Sequence, residues 1–209
     1  MRRLAKILLL AIVVLLPKDT FAQSDVERFF VAMPDSLLPI LPRAQRNELV
    51  MLSRGGVEAV VENLFGETAR LTFRSANRIS VEPTRSSRFE ICSLPTDSQT
   101  LFLSIYTLSQ PVPHSRLAVY DAEGTEVKGV FAVPDLHEFL TAPDSTIYLQ
   151  RRYWAERLLP LHIEAQFEDD PLPTLRMEVR TNGLSLEERN DVQTAFRSVR
   201  RRWTNGVWK

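Results

Sequence analysis

The chain has 209 residues, with 26 Lys and Arg against 26 Asp and Glu, and carries one cysteine and seven glycines. A balanced charge excludes a global attraction to nucleic acid or to an anionic membrane. One cysteine excludes an internal disulfide, and with no P-loop or dinucleotide fingerprint the sequence points to no nucleotide cofactor.

At the start, Arg2, Arg3 and Lys6 precede an apolar run from Ile7 to Leu16, followed by Pro17 and Thr20-Phe21-Ala22. That is the layout of a secretory signal peptide ending at Ala22. The run is about half of the ~20 apolar residues that cross a bilayer. Residues 1–22 are therefore read as a signal peptide and 23–209 as a single α+β domain exported to the periplasm or the cell exterior. Cys92 lies far from the cut, so the protein is not expected to be a lipoprotein, and no stable membrane insertion is expected after cleavage. The mature chain keeps 22 basic and 25 acidic residues, a net charge of about −3.

Residues 25–33, "DVERFFVAM", predict a short helix capped by Asp25 and ended by Pro34. In "MPDSLLPIL", Pro34, Pro39 and Pro42 oppose long regular structure while Leu37, Leu38, Ile40 and Leu41 demand burial. The expected result is a packed clamp, with Asp35 or Ser36 capping one helical turn. A helix follows from Arg43 to about Ser53, with Pro42 at its start and Gly55-Gly56 at its end.

From Ala69 the period becomes two: Leu71 and Phe73 alternate with Arg70, Thr72 and Arg74, and "NRISVEP" and "SRFEICSL" repeat the pattern. "TLFLSIYTL" is apolar on both faces and reads as a central strand. "RLAVYDAEGTEVKGV" reads as a hairpin turning near Glu123-Gly124. "VPDLHEFLTAPDS" holds a helical turn between prolines.

Leu161, Ile163, Ala165 and Phe167, then Leu175, Met177 and Val179, give the clearest hairpin in the chain. Its expected register sets Glu164 near Arg180 and Glu168 near Arg176, since the alternative places Glu164 opposite Glu178. "LSLEERNDVQTAFRSV" predicts a last helix with a Ser185/Glu188 capping box and Val192, Phe196 and Val199 on one face. Asn205-Gly206 predicts a type I′ turn that sets Trp203 opposite Trp208. The fold class is thus α+β, an antiparallel β-meander sheet with helices near both ends packed against it.

The segments "MPDSLLPIL", "NLFG", "HSRLAVYD" and the closing Trp-containing stretch together resemble an exported Bacteroidales family known as domain of unknown function 3256. Glu67 stands where members often have a second glycine after Gly66. The resemblance spans most of the mature chain and implies an exported protein of a Gram-negative envelope with no assigned activity.

Ser36 beside Asp35 is the one serine that suggests a nucleophile, with His114, His137 or His162 as its distant base, but no G-x-S-x-G elbow is present. Asp135 with His137, or His162 with Glu164, would give only two metal ligands. Asp121 and Glu123 read as turn residues, and Cys92 as a buried apolar residue. No catalytic, cofactor or metal residues are assigned. "RRYW" at 151–154, and Arg200, Arg201 and Arg202 with Trp203 and Trp208, are the candidate ligand contacts, suited to an anionic or sugar-like group. Packing ranks ahead of binding for them, with the arginines expected near a helix C-terminus.

The function expected is a non-catalytic envelope or secreted binding module, whose partner is an envelope protein, a peptide or an anionic glycan rather than nucleic acid. The alternatives are a hydrolase using Asp35 and Ser36, and an assembly protein acting by strand addition.

Overall fold

The computed structural model describes residues 23–141, 149, 152–154, 156–158, 160–180, 190 and 195–209. The proposed signal peptide and the Ser185/Glu188 capping box lie outside them. Helix α1 spans Asp25–Ala32. Its cap is Ser24 rather than Asp25: the Ser24 hydroxyl accepts from the Glu27 N–H, and the Glu27 carboxylate accepts from the Ser24 N–H in return. A single 3-10 turn, Asp35–Leu37, leads to helix α2, Arg43–Arg54, which ends at Gly55 and at Gly56 with φ +69°. A one-turn helix α3 occupies Leu136–Phe139.

The fold is of the α+β class with the antiparallel meander expected, and the strands divide between two antiparallel sheets. The first is a six-stranded meander in the order β1 to β6: Val60–Glu62, Thr68–Arg74, Arg78–Thr84, Ser87–Pro95, Thr100–Leu108 and His114–Tyr120. The second has the order β10-β9-β8-β7: Val207–Trp208, Val199–Thr204, Thr174–Arg180 and His162–Phe167. The return arm after Gly124 makes only a bridge, Tyr120 to Glu126, so no seventh strand joins the meander.

The first sheet is apolar on both faces because it is covered on both. Phe89, Ile91 and Phe102 pack against Val26, Phe29, Phe30 and Leu49 of the helices. Cys92, Leu94, Leu103 and Ile105 pack against Ile163, Ala165, Met177 and Trp203 of the second sheet. Successive residues of β4 and β5 point to opposite faces, so the continuous hydrophobic run of "TLFLSIYTL" serves two cores.

The β7–β8 register differs from the expected one: Glu164 lies opposite Glu178, and His162 opposite Arg180. This register stacks Ile163 on Val179, Ala165 on Met177 and Phe167 on Leu175. Its like charges are offset by arginines on either side. Arg180 binds both glutamates, Arg88 reaches Glu164 at 3.7 Å, and Arg176 reaches Glu178 at 3.1 Å. Glu168 pairs with Arg200 rather than Arg176.

The last helix does not reach Val199, because Phe196 bridges Leu140 and β9 begins at Val199. Arg200, Arg201 and Arg202 therefore lie in a strand rather than near a helix end. The Asn205-Gly206 turn has φ +52° and +78°, as a type I′ turn requires, and pairs Trp203 with Trp208.

Candidate functional site

The proline-rich stretch is a clamp, but its fastener is an arginine. Leu38 and Leu41 enter the core at 1% and 0% exposure, while Pro34, Pro39 and Ser36 stay outside. Arg46 of α2 is fully buried and donates to the carbonyls of Leu41 (2.9 Å), Met33 (2.5 Å) and Val31 (3.3 Å). These three carbonyls, at the end of α1 and in the clamp, lie where the helix ladder has stopped, and the buried guanidinium supplies their donors.

Asp35 lies 3.0 Å from Arg46 and accepts the Arg43 N–H at 2.9 Å. Asp35 thus caps α2 rather than its own turn, and Ser36 caps nothing. Burial draws the Arg46 guanidinium below its usual basicity, and the Asp35 charge acts against that.

Both ends of the clamp are tied down. At one end, Gly124 presses on Pro34 so closely that a Cβ at Gly124 would meet Pro34 Cδ at 2.5 Å. At the other, the Leu64 N–H donates to the Ile40 carbonyl at 3.1 Å. The "NLFG" turn that supplies Leu64 is built on buried Asn63, whose side-chain Oδ1 accepts from the N–H groups of Phe65 (2.8 Å) and Glu67 (3.1 Å). Gly66 supplies the one left-handed residue of the turn, at φ +77°. The geometry leaves Leu64 60% and Phe65 77% exposed.

Between clamp, turn and sheet lies a cleft of about 640 Å³. Its walls are Leu37, Ile40 and Phe65, and its floor is the helix-side face of β4 to β6. The floor is hollow for a simple reason. Ser104 and Ala118, both small, are cross-strand partners, and they lie between the larger pairs Tyr106 with Arg116 and Phe102 with Tyr120. α1 and α2 pack over the neighbouring part of this face, and among the described residues the 3-10 segment and the turn are what approach the small pair. "MPDSLLPIL", "NLFG" and "HSRLAVYD" each contribute to this one cleft, which their separation in the sequence conceals.

The cleft's chemistry is sparse. Arg116 is its one charged side chain among the described residues, and no histidine or carboxylate lines it. Ser36 is in the lining, but the histidines sit elsewhere: His114 edges onto His162 at 5.4 Å, and His137 pairs with Asp135 at 3.3 Å. Burial raises the pKa of the Tyr120 phenol, against the pull of nearby Arg116. The other candidates have local partners. Asp121 accepts the N–H groups of Glu123 and Thr125 within its own turn. Burial pushes the Cys92 thiol up to about 12, far from a reactive thiolate. Among the described residues no cluster of three His, Cys, Asp or Glu is placed to hold a metal.

The arginine and tryptophan segment packs along the second sheet. Arg200 pairs with Glu168 at 3.0 Å, Arg202 with Asp170 at 2.7 Å, and Arg201 with Glu138. Trp203 is 3% exposed and donates its indole N–H to the Pro95 carbonyl at 2.9 Å. Trp208 lies between Trp203 (5.3 Å) and Phe131 (5.6 Å). In "RRYW", Trp154 is buried edge-on against Phe196 at 5.4 Å, and Tyr153 carries Arg157 over its ring at 3.8 Å.

Fold and site together define an α+β protein in which helices and a second sheet cover the two faces of an antiparallel meander, with an apolar cleft where the helical cover ends. The chain belongs to the family described as "Protein of unknown function (DUF3256)", which matches residues 19–208. No curated protein matches it. Among solved structures it is similar to a domain of an uncharacterized protein from Porphyromonas gingivalis W83, with 25% identity and a TM-score of 0.72. The similarity covers 89% of this chain and 98% of that one.

Proposed function

We propose that the protein is a non-catalytic binding module, exported to the periplasm or cell exterior, whose ligand seats in the cleft between the proline clamp and β4 to β6. The observation that carries this reading is the cleft itself: about 640 Å³, mainly apolar, with a few polar groups and a 77% exposed Phe65 at its rim. Ligand sites have that character. A hydrolase would need a base beside Ser36, and the lining offers none among the described residues. Strand addition is disfavoured at β7, where the Ala165 N–H is held by the Ser115 hydroxyl (2.9 Å) and its carbonyl by Arg88 (3.2 Å). Arg200, Arg201, Arg202, Trp203 and Trp208 enter this proposal as the closure of the second sheet, with the cleft as the ligand site.

The test is binding of an environment-sensitive apolar dye to the folded protein. Wild type is expected to enhance its fluorescence, and Leu64→Ser with Phe65→Ser to lose most of that signal at unchanged thermal stability, because both side chains are exposed. Equal enhancement by both proteins would overturn the reading. Export is checked separately by mass spectrometry of protein recovered outside the cytoplasm, which should begin at Gln23. An intact Met1 start would refute it.

A further inference from the structure

The cleft has a polar end and an apolar end, and the difference specifies a ligand class. Arg116 and Tyr106 are direct cross-strand partners on the floor. The Arg116 side chain is exposed and makes no ion pair or hydrogen bond among the described residues. Most arginines of the helices and sheets differ in this: Arg46, Arg54, Arg70, Arg74, Arg88 and Arg180 each hold a carboxylate. Tyr106 is half-buried, and its hydroxyl has no hydrogen-bond partner among the described residues. A guanidinium and a phenol on directly paired residues, in a cleft whose lining holds no carboxylate, are complementary to one anionic group.

The rest of the cleft offers almost nothing polar. The Ser104 hydroxyl donates to the Ala118 carbonyl at 3.3 Å and lies against the Tyr120 phenol, Ser36 is exposed at the clamp side, and the remaining lining, Leu37, Ile40, Leu64, Phe65 and Phe89 among it, is apolar. A peptide lying there would bring an N–H and a C=O with every residue and find few partners, at the cost of buried unsatisfied groups. A hydrocarbon body has no such groups to satisfy.

Resting on the reading of the cleft as a ligand site, we infer that it takes an amphiphile with one anionic end at Arg116 and Tyr106 and an acyl-like body over Ser104 and Ala118.

The experiment is calorimetric titration of the full mature chain with dodecanoate, dodecanol and dodecyltrimethylammonium, each below its aggregation concentration. Dodecanoate is expected to bind about tenfold or more tightly than dodecanol, the scale of a charge-assisted hydrogen bond. Arg116→Gln should bring dodecanoate to the level of dodecanol and leave dodecanol unchanged, whereas Arg116→Lys should keep part of the preference. Ala118→Leu, which fills the hollow, should weaken both. Equal binding of all three amphiphiles, unaffected by Arg116→Gln, would overturn the anionic end and leave the cleft as a ligand site. Binding of an apolar peptide at the cleft with no binding of dodecanoate would overturn the ligand class alone. Failure of dye, amphiphiles and peptide together, with the fold intact, would remove both this inference and the proposed function.

Discussion

Arg180 binds two glutamates that face each other across the β7–β8 ladder, Glu164 through Nε at 2.7 Å and Glu178 through Nη2 at 2.9 Å. Like charges directly opposite on a strand pair are unfavourable, so the register depends on this bridge and on Arg88 and Arg176 beside it. Arg180→Gln is expected to cost about 1 kcal/mol in urea unfolding, the upper range for a partly exposed pair. Added salt should reduce the loss, and Glu178→Gln placed in the Arg180→Gln background should recover most of it. A double variant no more stable than the single one would show that the facing carboxylates do not repel.

The clamp yields a ranking of three substitutions. Arg46→Met strands the carbonyls of Val31, Met33 and Leu41 inside the core and is expected to cost roughly 3 kcal/mol or more. Asp35→Ala removes the acceptor of the Arg43 N–H and should cost about 1 kcal/mol. Ser36→Ala removes no cap and should lie within about 0.5 kcal/mol of wild type. Chemical denaturation of the three reads the order directly, and a Ser36→Ala loss equal to that of Arg46→Met would refute the assignment of the fastener.

These two sites show what a sequence carries and what it omits. Alternation announced the strands, the prolines and leucines announced a clamp, and Asn205-Gly206 announced its turn, because each is a local rule applied to adjacent residues. Pair repulsion alone does not predict the β7–β8 register, because Arg180 holds both glutamates from within β8 and Arg88 reaches Glu164 from β4. Arg46 looked like one polar residue of an amphipathic helix, and nothing local marks it as buried against carbonyls up to fifteen positions away. The cleft was harder still. Its hollow comes from Ser104 meeting Ala118 between larger pairs, which becomes visible only once β5 and β6 are aligned and the extent of the helical layer is known.

Two buried glutamates should titrate with opposite effects on stability. Burial pushes the Glu90 carboxyl up, and Arg88 and Arg78 draw it back only in part. Its folded pKa lies above the unfolded one, so its contribution is greatest below the unfolded value and is lost as pH rises through the folded value. Glu90→Gln should therefore be more stable than wild type at neutral pH, with the gap closing in acid. Burial also acts to raise Glu27, but hydrogen bonds from Arg54, Arg74 and the Ser24 N–H outweigh it and leave the carboxyl below its usual range. Glu27→Gln should be less stable than wild type at neutral pH, and this gap should close as pH falls through the depressed pKa. Melting temperatures of both variants between pH 3 and 8 check the signs, and a parallel trend in the two would refute them.

The C-terminal strand separates packing from charge within four residues. Trp203 is almost fully enclosed, fills the core between the sheets and ties β9 to the end of β4 through the Pro95 carbonyl. Trp203→Ala removes that area and leaves the carbonyl without its donor, so a loss of about 3 to 5 kcal/mol is expected. Trp208 is only half-buried, and Trp208→Ala should cost less. Arg200, Arg201 and Arg202 hold Glu168, Glu138 and Asp170 at the surface, where each pair contributes under about 1 kcal/mol. Replacing all three with Gln should thus lower stability modestly and in a salt-dependent way, leaving dodecanoate affinity unchanged because Arg116 and the cleft are untouched. A triple variant that stays fully stable yet loses an anionic partner captured by wild type would make this strand the binding surface and displace the cleft from that role.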